Sequence, residues 1–272
     1  MDEAVIELLE KLKLDKIRII RLSEIETPEL ESVKLDRTVA EYCWTLTPFT
    51  FDAVFSRDPN VLRVTYVDAD VMLFDDPQPV FDELETSEKQ ILITEHDYLP
   101  HWDQTKSSGR FCVQFIPATQ MGSYQVRRWW QERCLEWCFA RSEEGKFGDQ
   151  GYLDQWPVLF PELVHVSAHN NWFQAPWNSR KFNPLDAITY HFHGTKLRGT
   201  RITTRGPYPL HQAARGIFYR KLRKELVRLR RELGFSAKIE RANPIASLRR
   251  RFAEKRLFFA RLVAVWIAQK LG

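Results

Sequence analysis

Short apolar runs alternate with longer amphipathic segments through most of this 272-residue chain, and that alternation restricts its fold more than any other feature. Helical spacing is found at 2–13, at 37–57 with an interruption near Pro48, at 119–142 and at 147–157. The apolar runs have the length and content of strands and lie at 16–21, 62–68, 71–74, 91–96, 110–118, 163–167 and 187–194. The pattern predicts an α/β fold with a largely parallel sheet.

The pattern also suggests where the chain divides. Residues 97–109 are polar and predict a flexible loop between two strands, a candidate lid. From about residue 211 the chain reads as a long basic helix with a break near Asn243 and Pro244. We therefore expect one α/β domain over 1–210 and a helical tail over 211–272.

The tail differs sharply in charge from the rest of the chain. Residues 215–272 carry 17 Lys/Arg and four Asp/Glu, a net charge of +13, whereas the remaining 214 residues carry a net −9. Basic amphipathic helices of this kind favour the surface of an anionic membrane. Packing against the domain and dimerisation stay open as alternatives. Nucleic acid is not expected as a partner, because no recognised binding motif accompanies the charge.

The sequence also predicts a cellular compartment. Its first twenty residues are charged throughout, unlike a signal peptide. The apolar stretch at 257–268 includes Arg261 and is shorter than the roughly twenty residues that a spanning helix needs. Four cysteines in so long a chain do not form a disulfide framework, and the pair Cys134 and Cys138 alone is weak evidence for zinc. We expect reduced thiols and a cytoplasmic protein.

Two aspartates interrupt the apolar sequence at 64–77, VTYVDADVMLFDDP. Asp68 ends a predicted strand, and Asp70 can point the same way because side chains in an extended chain repeat every second residue. Adjacent carboxylates repel each other unless a cation lies between them, and oxygen ligands suit Mg²⁺ or Mn²⁺. The alternative is a solvated turn in which Asp68 caps a loop or helix.

Two further polar groups follow downstream. The segment YHFHGTK places His191 and His193 on one strand face ahead of Lys196, so an imidazole can complete a metal shell and an ammonium can neutralise phosphate. Asp149 and Gln150 stand at the start of a short helix beside a glycine. For that pair the alternative is an ordinary helix N-cap.

These residues resemble a family. The chain is similar to the GT-A fold nucleotide-sugar glycosyltransferases, above all the retaining group with glycogenin and the bacterial lipopolysaccharide galactosyl- and glucosyltransferases, and within it to bacterial polysaccharide-cluster transferases. The ordered series Asp-x-Asp, Asp-Gln-x-x-Leu, Trp-Asn and His-x-x-Gly carries the resemblance over about 37–200. Its stretches are EYCWTLTPF (41–49), YVDADVMLFDDP (66–77), GKFGDQGYLDQWP (145–157), NNWFQAPWN (170–178) and HFHGTK (191–196).

The resemblance implies a Rossmann-like mixed sheet flanked by helices, and a metal-dependent hexosyltransferase of the retaining type. Its donor would be a nucleotide-diphosphate sugar, with a UDP-sugar expected. Its acceptor would be a saccharide or a lipid-linked saccharide in surface polysaccharide synthesis, at the inner face of the membrane. The implied roles are metal binding (Mn²⁺, or Mg²⁺) by Asp68, Asp70 and His191, with His193 as the fallback; donor binding by Arg37, Asp68 and Lys196; and catalysis at the transferred sugar by Asp149 and Gln150.

The chain also departs from the family pattern. Cys112 and Gln114 stand where the family usually has an Asn and a Gly, and Lys196 lies one residue early without the following Pro-Trp. Relatives begin with a further strand–helix unit of roughly 30 residues, which this chain is expected to lack. The alternative function is therefore a catalytically inactive glycosyltransferase-like scaffold docked at the membrane. A metal-dependent phosphohydrolase is a third possibility.

Overall fold

A computed structural model describes residues 3–11, 16–199, 201–204, 206–208 and 210–234. The helices are α1 (Glu3–Lys11), α2 (Pro28–Lys34), α3 (Val39–Leu46), α4 (Phe49–Arg57), α5 (Gln78–Thr86), α6 (Thr105–Ser108), α7 (Tyr124–Glu136), α8 (Trp156–Leu159), α9 (Gln212–Ala214) and α10 (Arg220–Glu232). The strands are β1 (Arg63–Val67), β2 (Val71–Leu73), β3 (Ile91–Glu95), β4 (Phe111–Cys112), β5 (Phe115–Thr119), β6 (Val164–Val166), β7 (Phe173–Gln174), β8 (Thr189–His191), β9 (Thr195–Arg198) and β10 (Arg201–Thr204).

Local sequence signals fix several helix starts. The Thr38 hydroxyl accepts a hydrogen bond from the Glu41 backbone N–H, and the Glu41 carboxylate accepts one from the Thr38 N–H, which forms a capping box at α3. Thr27 caps α2, and Pro28 follows it as the first helical residue, where a missing N–H costs nothing. The predicted helix over 37–57 with a break near Pro48 is confirmed as the α3–α4 pair.

The main sheet is mixed, as the resemblance implied. Its strands run in the order β1-β5-β3-β4, and β6 also pairs with β3. The pairs β1–β5, β3–β5 and β3–β4 are antiparallel, and β3–β6 is parallel. The expectation of a largely parallel sheet is therefore wrong. The predicted single strand at 110–118 is two strands, because a turn at 113–114 lets β4 pair with β3 and β5 pair with β1.

Helices cover both faces of this sheet. Successive side chains of β3 alternate, so that Ile91 and Ile93 belong to one apolar cluster and Leu92 to another. The first cluster is built with α4, α7 and the segment 152–160, and the second with α5. The apolar stripe of α7 lies in the first cluster, as its spacing predicted, with Val126, Trp130 and Cys134 fully buried.

A second, three-stranded sheet has the order β2-β8-β7. Strands β2 and β8 are antiparallel, with Val71 opposite His191, and β7 and β8 are parallel. Because only three residues lie between β1 and β2, this small sheet brings the distant segment 189–191 to the aspartates that follow β1.

Two other expectations differ from the structure. No strand forms at 16–21, and the Ile19 carbonyl there accepts a hydrogen bond from Arg57 Nη1 at 3.0 Å rather than from a neighbouring strand. The polar segment 97–109 is not a plain loop, since it contains a 3₁₀ turn at Pro100–Trp102 and the short helix α6.

The chain divides into two compact units, one of residues 1–196 and 202–222, the other of 197–201 and 223–272. In the first unit, Phe218 and Tyr219 are buried against Tyr190 and Phe192. The division at 210 stays a prediction. The predicted break near Asn243 and the helix beyond it lie outside the described residues. No helix among the described residues is long and apolar enough to cross a membrane.

Candidate functional site

Asp68, Asp70 and His191 come together where β1 ends and the small sheet begins. One ligand atom from each lies within 4.8 Å of the other two, and no other group of three His, Cys, Asp or Glu residues among those described meets this condition. His191 Nε2 is 2.9 Å from Asp70 Oδ1 and 3.8 Å from Asp68 Oδ2. His191 is buried and Asp68 is partly buried, whereas half of the Asp70 side chain is exposed, so the cluster opens to solvent on one side.

Backbone hydrogen bonds hold the three residues in place. The Asp68 N–H donates to the Gln114 carbonyl at 3.1 Å and continues the β1–β5 pairing by one residue. The Phe192 N–H donates to the Asp70 carbonyl at 2.8 Å and continues the β2–β8 pairing. The two carboxylates and the imidazole are thus anchored by two different sheets.

The two carboxyl groups differ in acidity. Burial raises the pKa of Asp68, an effect opposed by His191 and by the Tyr66 hydroxyl and reinforced by the charge of Asp70. Burial also acts to raise the pKa of Asp70, but the hydrogen bond and charge of His191 outweigh it, so that this pKa lies below its usual range. A cation at this point would favour ionisation of both carboxyl groups.

The cluster suits a divalent cation by its donor chemistry. Two carboxylate oxygens and one imidazole nitrogen converge, and no cysteine belongs to the group. Carboxylates suit Mg²⁺ and Mn²⁺, and the imidazole adds a ligand that transition metals accept readily. Three protein ligands leave other coordination positions for a bound molecule. The residues therefore fit the divalent metal that the resemblance implies.

Asp149 lies at the start of the 3₁₀ turn Gln150–Gln155 and is buried. Burial raises its pKa to about 7, the Thr47 side chain opposes this by a hydrogen bond, and the charge of Asp68 adds to the rise. Gly148 precedes it with φ +52°, and a Cβ there would be 3.1 Å from the Trp44 ring. Glycine suits both the positive φ and the close approach of the Trp44 ring. Gly148 therefore allows the backbone turn that sets the position of the Asp149 carboxyl group.

Gln150, Lys196 and His193, the next residues predicted for the site, do not belong to the cluster of Asp68, Asp70 and His191. Gln150 is half-buried and donates through Nε2 to the Ser108 carbonyl. Lys196 is exposed on β9, and His193 is exposed with its ring centroid 5.8 Å from that of His191. Because His191 completes the cluster with the aspartates, the fallback to His193 is not needed.

Arg37 has structural partners. Its Nη1 donates to the Cys134 carbonyl at 2.6 Å and to the Thr45 hydroxyl, and its Nη2 donates to the Leu135 carbonyl at 2.7 Å. These carbonyls belong to the last turn of α7, where backbone acceptors have no partner within the helix. Its donor-binding role stays a prediction.

Several neighbours of the cluster have no role predicted from the sequence. The Trp177 ring packs edge-on against His191 at 5.3 Å and against His96 at 5.1 Å, between ring centroids. Asn178 fixes the turn beneath it, accepting from the Ala175 N–H and donating to the His96 carbonyl. Burial lowers the pKa of His96 to about 3, so this imidazole is neutral at physiological pH.

Tyr66 and Thr47 also lie at the site. The Tyr66 hydroxyl donates to Asp68 Oδ1 at 2.8 Å. Strand alternation was the signal that could have identified Tyr66, since it stands two residues before Asp68 on the same face. Cys112 and Gln114 are buried close by, and Gln114 Nε2 donates to the Thr94 hydroxyl at 3.2 Å.

The fold and the site together define a mixed α/β domain with a candidate divalent-cation centre at the end of a strand of its main sheet. No family model matches the chain. It is 32% identical over 218 residues to the uncharacterized protein YfnF of Bacillus subtilis (strain 168). The alignment covers 72% of this chain and 71% of YfnF. It is also 30% identical over 215 residues to the uncharacterized protein YfnD of the same strain. That alignment covers 72% of this chain and 67% of YfnD.

The chain belongs to the family of YfnF and YfnD. Among solved structures, mouse xyloside xylosyltransferase 1 is similar with a TM-score of 0.44 and 15% sequence identity, over 70% of this chain and 81% of that one. At this identity and TM-score the likeness says nothing about what the present chain acts on.

Proposed function

We propose that the chain is a metal-dependent glycosyltransferase of the GT-A type. It moves a sugar from a nucleotide-diphosphate sugar, with a UDP-sugar as the expected donor, to a saccharide or lipid-linked acceptor. The observation that carries the proposal is the convergence of Asp68, Asp70 and His191. Those residues belong to the ordered motif series of the sequence, yet 121 positions separate Asp70 from His191.

The geometry of the cluster supports the proposed binding roles. Asp68, Asp70 and His191 would hold the cation, expected to be Mn²⁺, on the exposed side of the cluster. When bound, the cation supplies positive charge against the diphosphate that leaves as the glycosidic bond breaks. Lys196 is exposed on β9 and would add a second positive charge for the same phosphates.

Asp149 would act at the transferred sugar. Its carboxyl group is enclosed by protein and close enough to Asp68 for their charges to interact. In the ionised form it stabilises an oxocarbenium-like centre, and it can orient the acceptor hydroxyl. Gln150 is adjacent and supplies an amide for sugar hydroxyls. The retaining, same-face course is proposed from the family resemblance.

The test of this function is turnover of a panel of UDP-sugars with Mn²⁺, scored as UDP release with and without simple saccharide acceptors. We expect release that EDTA abolishes, and loss of at least about a hundredfold in Asp68→Asn and Asp70→Asn. Asp76→Asn is the matched control, since it alters an exposed aspartate of the same stretch and leaves an acceptor for the Gln78 N–H. Undiminished turnover in either site variant would contradict the metal assignment.

An inactive scaffold is the second candidate function. Cys112 and Gln114, which replace the family's usual Asn and Gly, favour it, because both are buried close to the carboxylates. A scaffold would show no UDP release with any donor and no binding of UDP in the presence of Mn²⁺. Phosphate release from simple esters would instead reveal a phosphohydrolase.

Membrane association completes the proposal. In the second unit, α10 is basic, and its aliphatic residues Val227 and Leu229 are exposed. The tail carries a net charge of +13 over 215–272, which complements the anionic inner leaflet. We place the enzyme peripherally at the cytoplasmic face, where lipid-linked acceptors are found.

A further inference from the structure

The carboxylate of Asp68 has two oxygens in different environments. Oδ1 accepts the hydrogen bond of the Tyr66 hydroxyl at 2.8 Å, whereas Oδ2 faces His191 Nε2 at 3.8 Å. Oδ2 is therefore the oxygen of Asp68 that faces the imidazole. One lone pair of Oδ1 is taken by the tyrosine hydroxyl, which weakens this oxygen as a donor, so Oδ2 is the stronger donor to a cation.

Tyr66 is itself held firmly. It lies on β1 opposite Ile116, and its ring packs against that of Phe51 with the centroids 6.3 Å apart. The hydroxyl of Thr47 also contacts the hydroxyl of Tyr66, and the same threonine bonds the carboxyl group of Asp149. Ring packing and strand pairing therefore orient the tyrosine hydroxyl as a donor to Asp68.

The number of oxygens that a carboxylate offers matters differently for different cations. Ca²⁺ accepts about six to eight oxygen ligands at roughly 2.3–2.6 Å and commonly takes both oxygens of one carboxylate. Mg²⁺ requires a near-octahedral shell at roughly 2.0–2.1 Å, and Mn²⁺ shares the octahedral preference. Both oxygens of one carboxylate subtend too small an angle for two corners of an octahedron, but they fit the larger, irregular shell of Ca²⁺.

We propose that Tyr66 is a specificity-determining residue, which holds Asp68 to one-oxygen coordination and so makes the site prefer Mn²⁺ and Mg²⁺ to Ca²⁺. This rests on the metal site of the proposed function and adds a role for a residue outside the ligand set. Tyr66 does not touch the cation. It acts through Asp68 as a positioning residue, in the way that outer hydrogen bonds orient metal-binding side chains.

The test is the affinity of the full chain for Mn²⁺ and for Ca²⁺, measured by calorimetry and by Mn²⁺ electron paramagnetic resonance with Ca²⁺ as competitor. In Tyr66→Phe we expect the Mn²⁺ affinity to fall about tenfold, because Asp68 loses the group that orients it. The Ca²⁺ affinity should stay the same or rise, because Oδ1 loses its hydrogen bond and becomes a stronger second donor. The ratio of the two affinities therefore falls about tenfold or more.

Tyr152→Phe is the matched control, because it removes a buried tyrosine hydroxyl that donates to the Trp137 carbonyl, in contact with none of the three ligands. It should leave both affinities unchanged. Tyr66→Phe keeps the ring that packs on Phe51, and its metal-free melting temperature should match that of Tyr152→Phe within a few degrees.

Three outcomes would overturn the inference. Equal losses for the two cations would mean that Tyr66 has a merely structural role, and unchanged affinities would mean that it has no role at all. Either result leaves the metal site itself intact. If the wild-type chain binds neither cation, the metal site of the proposed function fails, and the inference fails with it.

Discussion

A carboxyl group that is almost fully enclosed by protein, such as that of Asp149, keeps its proton to a higher pH than one in water. Its pKa is about 7 in the folded chain against an ordinary value of 3.8. Between these values the folded state binds a proton that the unfolded state has lost. Asp149 therefore makes the folded state less stable as the pH rises from about 4 to about 7.

Asp149→Asn should remove this pH dependence. Relative to wild type, the variant should gain up to about 3 kcal/mol in free energy of unfolding between pH 5 and pH 8, from a pKa difference of about two units in that window. Urea unfolding in EDTA at the two pH values measures it, and the exposed Asp186→Asn controls for the loss of one charge. A gain that is equal at both pH values would contradict the raised pKa.

Residue patterns made part of the site predictable. Asp68 and Asp70 follow a strand with the spacing that places both side chains together, and the motif series singled out His191 and Asp149. Tyr66 was missed although strand alternation pointed to it. Trp177 and Asn178 are the Trp-Asn pair of the same series, but the packing of Trp177 on His191 was not predictable, because contacts between distant side chains leave no periodic signal in a sequence.

Among the elements, α7 depends on a residue far from it in sequence. Arg37 donates to the carbonyls of Cys134 and Leu135 at the end of that helix. The guanidinium group of Arg37 also lies over the ring of Phe139, with its central carbon 5.4 Å from the ring centroid. These contacts make Arg37 a tie between the start of α3 and the end of α7, which covers one face of the main sheet.

Arg37→Ala should lower the free energy of unfolding by about 2–3 kcal/mol, because it leaves carbonyl groups of the last turn without their charged donor. Guanidinium unfolding measures the loss. UDP binding by the folded fraction then tests the donor-binding role, and binding equal to that of the wild type would leave Arg37 a structural role alone. Weakened UDP binding in a variant of undiminished stability would instead support the donor-binding role that the resemblance implied for Arg37.

The elements also show where sequence patterns stop being informative. Most strands formed where apolar runs predicted them, because burial selects β-branched and aromatic residues whatever their partners are. The pairing of those strands was not predictable in the same way. The antiparallel partners of β1 and β3 are set by a turn at 113–114 inside one continuous apolar run. The segment 16–21 has strand composition but no strand partner among the described residues.

Across the whole molecule, charge is separated along the chain. Under the proposed membrane association, the basic tail would draw the chain to an anionic surface, and salt would screen this attraction. The first compact unit extends to Leu222 in the sequence, past the expected boundary at 210. A truncation that tests the tail should therefore keep residues 1–222, so that Phe218 and Tyr219 stay in their core.

The full chain should sediment with vesicles of anionic lipid at low salt, and the 1–222 truncation should not. Roughly 1 kcal/mol per basic residue near the surface makes the difference large even if only a few of them engage. Zwitterionic vesicles are the control, and high salt should release the full chain. A full chain that ignores anionic vesicles at low salt would contradict membrane association.

Calorimetric titration of UDP into the wild-type chain, with Mn²⁺ and then with EDTA, tests the central claim most directly. We expect binding that requires the metal and that weakens at least about tenfold in Asp70→Asn, since that carboxylate would be a ligand. Asp76→Asn should bind as the wild type does. No heat at millimolar UDP with Mn²⁺, or equal binding in EDTA, would contradict a metal-dependent nucleotide-sugar site.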